Sequence, residues 1–158
     1  MSTWDSSLEI RIDTLEDAEV QGLILSHLKD MKNGYPEESV HTLVLEELKK
    51  PEITFWTLWS KNELAGCGAL KEINHTHGEI KSMRTHESFL RKGIAQRILE
   101  HLISVAQQRG YKRLSLETGA GEAFIPAHKL YEKLGFFKCG PFDGYIEDPS
   151  SVYMSREL

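Results

Sequence analysis

A chain of 158 residues, 40% of them hydrophobic, has enough material for one domain with a real core and too little for two. Its 19 Lys and Arg are outnumbered by 24 Asp and Glu, the formal net charge is -5, and the cations are scattered rather than gathered in a tract, which argues against nucleic acid as a partner. The start MSTWDSSLEI has no basic segment leading into an apolar run, and no apolar stretch reaches the length of a bilayer span, so the expectation is a cytoplasmic protein with no membrane partner. In chain order, LEIRID alternates like a strand, and Asp13 or Thr14 is placed to cap a helix from about Leu15 to Met31, which NGYP breaks. Glu37 to Lys49 follows as a second helix, with Val40, Leu43, Val44 and Leu48 on one face and Pro51 beyond its end.

A β region comes next. ITFWTLWS is β-branched and aromatic, KN is a turn, ELAGCGALKEI continues as a strand, NHTHG turns again and EIKSMRT alternates once more. Ile94, Ala95, Ile98, Leu99, Leu102, Ile103 and Ala106 then mark an amphipathic helix ended by Gly110. RLSLE reads as a strand, IPAHKLYEKL as a short helix starting near Pro126 and stopped by Gly135, and FFKCGPF and SVYMSREL as two closing strands. The order β, α, α, β, β, β, α, β, α, β, β predicts a single α/β domain over residues 1–158, with a mixed sheet and helices on both faces.

Cys67 and Cys139 are too few for a disulfide framework and lack zinc-ligand spacing, so the expectation is two buried free thiols without a catalytic role. His75 and His77 share one turn with no third ligand beside them, and they read as turn residues rather than a metal site.

FLRKGIAQRI carries the first chemical signal. A helix N-terminus presents unsatisfied N–H groups and the positive end of the helix dipole, and a glycine at its entrance lets the backbone approach an anion. Arg91 and Lys92 add charge, Gly93 permits the turn, and Ala95 is small enough to leave the first helical turn, Ile94 to Gln96, open to a bulky anion. This is a phosphate cradle that follows neither the Walker pattern nor the dinucleotide glycine pattern. A charged loop before a surface helix is the competing reading.

The stretch from Glu79 to Phe136 resembles the GNAT superfamily of N-acetyltransferases. EIKSMRT corresponds to that family's fourth strand, LRKGIA to its [QR]-x-x-G-x-[GA] loop, Ile94 to Arg109 to its long helix, RLSLE to its fifth strand, and LYEKLGF to its L-Y-x-x-x-G-F ending, all in order. Leu90 replaces the usual Gln or Arg, and Phe124 stands where many members have an Asn that reaches the pantetheine arm. The ending CGPFDGYIEDPSSVYM is similar to that of an uncharacterised small-molecule-type subgroup. The resemblance implies a GNAT-like fold, a mixed and mostly antiparallel central sheet with helices on both faces, and acetyl-CoA as co-substrate. Arg91, Lys92, Gly93, Ile94, Ala95 and Gln96 are then expected to hold the pyrophosphate, with Met83, Arg84, Thr85 and Phe124 along the pantetheine. A homodimer is an assembly common among such proteins.

The reaction implied is direct acetyl transfer to the amine of a small-molecule or amino-acid-like acceptor. An amine must lose a proton and attack the thioester carbonyl before a thiolate leaves. Glu79, fourteen residues before Gly93 on the fourth strand, is similarly spaced to the general base of some members. Its alternative is an exposed ion pair with Lys81, two residues along the same strand face. Tyr131 matches the family's tyrosine that protonates or hydrogen-bonds the departing sulfur, its alternative being a core tyrosine. His128, Glu117 and Thr118 are further positions where an acceptor contact competes with a surface or capping role. A non-catalytic acyl-CoA-binding or sensor domain, and a protein or peptide N-acetyltransferase, are the other functions this pattern allows.

Overall fold

The computed structural model describes residues 8–26 and 37–158. The elements are β1 (Leu8–Ile12), α1 (Ala18–Leu25), α2 (Glu37–Leu48), β2 (Ile53–Ser60), β3 (Glu63–Asn74), β4 (His77–Thr85), α3 (Ile94–Gln108), β5 (Arg113–Gly119), α4 (Ile125–Lys133), β6 (Phe137–Cys139) and β7 (Ser151–Glu157), with short 3-10 turns at Glu87–Phe89 and Glu122–Phe124. Strands and helices alternate in the order expected. They build a mixed, mostly antiparallel seven-stranded sheet in the order β1-β2-β3-β4-β5-β7-β6. The β2–β3 hairpin turns at Lys61 and Asn62, which both take positive φ (50° and 70°), as a two-residue turn between right-twisted strands requires. Parallel pairing of β4 with β5 cannot be made by a hairpin, and α3 is the crossover that allows it.

Cα packing groups the chain into two compact units, Met1–Ala69 with Ser82–Leu99, and Leu70–Lys81 with Glu100–Leu158. In the first, Leu15, Val20, Leu23, Ile24, Leu48, Ile53, Phe55 and Leu64 form one apolar cluster with Cys67 and Ala69. In the second, Leu70, Ile80, Leu102, Leu114, Leu116, Phe136 and Met154 are buried. Among the described residues no helix is long and apolar enough to cross a membrane.

Several boundaries differ from expectation, each for a local reason. Asp17, rather than Asp13 or Thr14, caps α1, its carboxylate accepting from the N–H groups of Glu19 and Val20 at 2.7 and 3.3 Å. Asp13 instead accepts the Leu15 N–H at 2.8 Å, an Asx turn that holds Leu15 at φ 67° with its side chain in the core. The predicted continuation of this helix to Met31 and the NGYP break lie outside the described residues. In α2, Leu43 is 66% exposed, because position 43 lies roughly 140° round the helix from the buried Leu48; Val44 and Leu45 supply the packed face instead. β4 begins at His77, inside the expected turn, and β6 stops at Cys139, well short of the strand expected to reach Phe142. Cys67 is buried as expected, its thiol pushed up to about 12 by desolvation, whereas Cys139 is only half-buried.

Candidate active site

The first unit holds nine of the ten expected cofactor-binding residues: Met83, Arg84 and Thr85 at the end of β4, and Arg91 to Gln96 at the start of α3. Arg91, Lys92 and Gly93 are exposed in a turn whose Arg91 and Gly93 take φ 62° and 79°. The second value is one that glycine reaches without strain. Gly93 gives its carbonyl to the Arg97 N–H at 3.1 Å and so begins the ladder of α3. The N–H groups of Ile94 and Ala95 lie ahead of that ladder. Lys92 places its ammonium 5.3 Å from the centre of the Phe89 ring.

What seats this helix end is a missing side chain on β3. A Cβ at Gly66 would lie 2.8 Å from the Arg84 carbonyl oxygen and 2.9 Å from side-chain atoms of both Ile94 and Ile98. Backbone and helix therefore approach more closely than any other residue permits. The neighbouring strand is itself irregular, for Ser82 in the middle of β4 takes φ 54°, the mark of a bulge. Its carbonyl accepts the Cys67 thiol at 3.3 Å. The β4–β5 register runs from His77↔Arg113 to Ile80↔Leu116, while β4 continues to Thr85 and β5 to Gly119.

The second unit holds Glu79, Tyr131 and Phe124. Glu79 is 2% exposed, so it is not the exposed pair with Lys81 that its spacing allowed. Its Oε2 accepts the Tyr145 hydroxyl at 2.7 Å, and Lys81 Nζ stands off at 3.9 Å. Its Oε1 is buried and has no hydrogen-bond partner. Burial raises the carboxyl above its ordinary value, and the Tyr145 hydroxyl, Lys81 and Lys71 only partly oppose that rise. Such a group is a better proton acceptor than an exposed carboxylate, and a buried oxygen without a donor is costly unless a ligand or water supplies one.

Tyr131 is the buried residue of α4. Its position follows from the motif around it: Gly135 takes φ 95°, and the Phe136 N–H then returns to the Tyr131 carbonyl at 3.0 Å, closing the helix in a Schellman turn. The same turn brings the two rings edge to face at 5.9 Å. Burial alone pushes the phenol up to about 12, so it stays protonated across the neutral range. Phe124 lies over the end of β5, where a Cβ on Gly119 would come within 2.3 Å of its ring.

The remaining candidates are engaged elsewhere. His128 Nε2 meets the Gly119 carbonyl at 2.7 Å, and Glu117 accepts from Ser151 Oγ at 2.7 Å, the capping alternative. His77 Nε2 lies 2.6 Å from Ser115 Oγ, and among the described residues no cluster of three or more His, Cys, Asp or Glu is arranged to hold a metal ion. A cleft of about 270 Å³ lined by residues such as Asp13, Leu48 and Phe55 contains none of the predicted site residues. Tyr145 is the functional candidate the sequence reading missed. Its signal was the Asp-Gly pair in PFDGY, a turn marker just beyond the expected strand FFKCGPF.

The family model described as Acetyltransferase (GNAT) family matches residues 20–136. The chain belongs to the GNAT acetyltransferase family. It is 55% identical to the uncharacterised N-acetyltransferase YsnE of Bacillus subtilis, over 96% of this chain and 100% of that one. It is 46% identical to the uncharacterised N-acetyltransferase YedL of Escherichia coli, over 94% of each. A GNAT acetyltransferase of Elizabethkingia anophelis, solved with acetyl-CoA bound, superposes with a TM-score of 0.70 over 98% of this chain and 100% of that one at 21% identity, a likeness of fold. With relatives this similar, the GNAT chain is an acyltransferase of the N-acetyltransferase kind.

Proposed function

We propose that the chain is one cytoplasmic N-acetyltransferase domain that moves the acetyl group of acetyl-CoA directly to the amine of a small-molecule or amino-acid-like acceptor. The observation that carries this reading is Glu79, a carboxylate 2% exposed with one oxygen held by Tyr145 and the other unpartnered. An acidic group so placed suits a proton acceptor, since the amine nitrogen must be neutral to attack the thioester. In this reading Glu79 Oε1 takes that proton, directly or through a water. The Tyr131 hydroxyl then donates to the sulfur as the carbon–sulfur bond breaks, and its raised value means that it is protonated at neutral pH when that step comes.

Acetyl-CoA supplies the activated acetyl group. The residues present fit it: Arg91, Lys92 and the N–H groups of Gly93 to Gln96 suit a pyrophosphate, and the β4 backbone at Met83 to Thr85 suits the amides of a pantetheine arm. Leu90, 56% exposed, contributes no side-chain donor, but the cradle works through backbone N–H groups. Phe124 offers an apolar wall where many relatives have an amide.

The test is thiol release from acetyl-CoA by the purified protein across a panel of amines, amino acids and peptides. Release that depends on a small amine or amino acid is expected. Tight CoA binding without release on any acceptor would favour the sensor, and release on peptides alone would favour a protein acetyltransferase.

A further inference from the structure

The loop between β6 and β7 lies beyond the matched family model, which ends at residue 136. Asp143 and Gly144 take φ 47° and 82°, and the Tyr145 N–H closes onto the Phe142 carbonyl at 3.0 Å. Two consecutive positive φ values and that closure define a tight turn of the I′ kind, the one an Asp-Gly pair favours. The turn folds Phe142 and Tyr145 against each other at 5.2 Å between ring centres, and both pack on Tyr153, at 6.1 and 5.6 Å. Tyr153 in turn gives its hydroxyl to the Ile146 carbonyl at 2.9 Å, and Lys71 on β3 meets Asp143 at 3.2 Å. The ring of Tyr145 is thus held by two neighbouring rings and by its own backbone turn, with the hydroxyl left to bond Glu79 Oε2 at 2.7 Å.

We infer that Tyr145 is a positioning residue for the reaction: it anchors one oxygen of Glu79 so that the other, Oε1, is presented to the acceptor's nitrogen. A carboxylate without this anchor is free to rotate about its last bond and to turn toward Lys81, 3.9 Å away, as a simple ion pair. With Oε2 held, Oε1 is the oxygen that lacks a donor, and an amine N–H or an amine-bound water fits that need. The charged and titratable groups around Glu79 are Lys81 on its own strand, Lys71 on β3, and Asp143 and Tyr145 on the loop. Glu117 on β5 acts on the Tyr145 hydroxyl. The inference rests on Glu79 being the base, and the test separates the two.

Tyr145→Phe keeps the ring in its aromatic cluster and removes only the donor. Two readouts are compared with the parent: the titration of Glu79, followed by carbon-13 NMR of labelled glutamate and assigned by its absence in Glu79→Gln, and the pH dependence of kcat/KM. Loss of a hydrogen bond to a carboxylate moves the Glu79 midpoint up by about one pH unit, lowers kcat roughly tenfold at neutral pH, and leaves KM for acetyl-CoA unchanged. Gly144→Val strains the turn that presents Tyr145 and moves both readouts in the same direction, which guards against a Phe variant that packs poorly. A Glu79 midpoint that moves while the acid limb of kcat/KM stays in place would leave Tyr145 as the anchor and remove Glu79 as the base. A Glu79 midpoint unchanged in the folded Phe variant overturns the inference.

Discussion

Glu79 and Tyr131 are buried ionisable groups whose shifts have one leading cause, desolvation, and complementary consequences. Burial raises the carboxylate's affinity for a proton and makes the phenol a weaker acid. Glu79→Gln keeps the size and the acceptor oxygen for Tyr145 but removes basicity, so kcat/KM at neutral pH is expected to fall by ~10² or more. The deficit should narrow as pH rises and more of the acceptor arrives deprotonated, which a pH-rate comparison of parent and variant reads directly. Tyr131→Phe is expected to lower kcat with little effect on cofactor affinity, because the hydroxyl acts only as the sulfur departs. Unchanged turnover with chemistry limiting the rate would return Tyr131 to a packing role. The burial of Glu79 was not legible in the sequence: period two put it beside Lys81, but nothing local says that the Tyr145 loop holds one of its oxygens.

Elements were legible where a single periodicity ruled and obscure where local side-chain bonds competed with it. The α3 pattern, the LYEKLGF turn and the strands of the meander each follow from one rule of spacing, and they stand where they were read except that β4 starts early, at His77. Asp13 was read as a helix cap because its type and place suit one, but its carboxylate satisfies Leu15 instead and the helix waits for Asp17. FFKCGPF was read through as a strand because its apolar character masked Pro141 and the Asp-Gly turn behind it, and with that the loop carrying Tyr145 was lost. The cradle, by contrast, is a property of one loop and one helix end. Gly93→Glu would set a carboxylate at the helix entrance on a residue held at φ 79°, and CoA binding is expected to fall by at least ~10²-fold while the circular dichroism of the fold is retained. Calorimetry showing parent-like CoA affinity would remove the loop from the phosphate site.

At the scale of the whole molecule, a buried carboxylate is also a liability. Glu79 has a raised value in the folded chain, so the unfolded chain releases its proton first, and stability is lost as pH rises from the ordinary carboxyl value of 4.5 toward the raised folded one. Below that window the group is protonated in both states and contributes nothing. Glu79→Gln is therefore expected to melt at a higher temperature than the parent at pH 7 and at about the same temperature near pH 4, so that the variant that loses activity gains stability. Melting curves that differ equally at both pH values would mean that charge burial is not the cause. Direct transfer to an amine is checked by following an isotope-labelled acetyl group from acetyl-CoA by mass spectrometry, using the best acceptor from the panel. One labelled acetyl on the amine nitrogen is expected for each CoA released, with no label on the protein at any time during turnover. Label held covalently on the protein, at Cys139 or elsewhere, or CoA released without an acetylated amine, would contradict it.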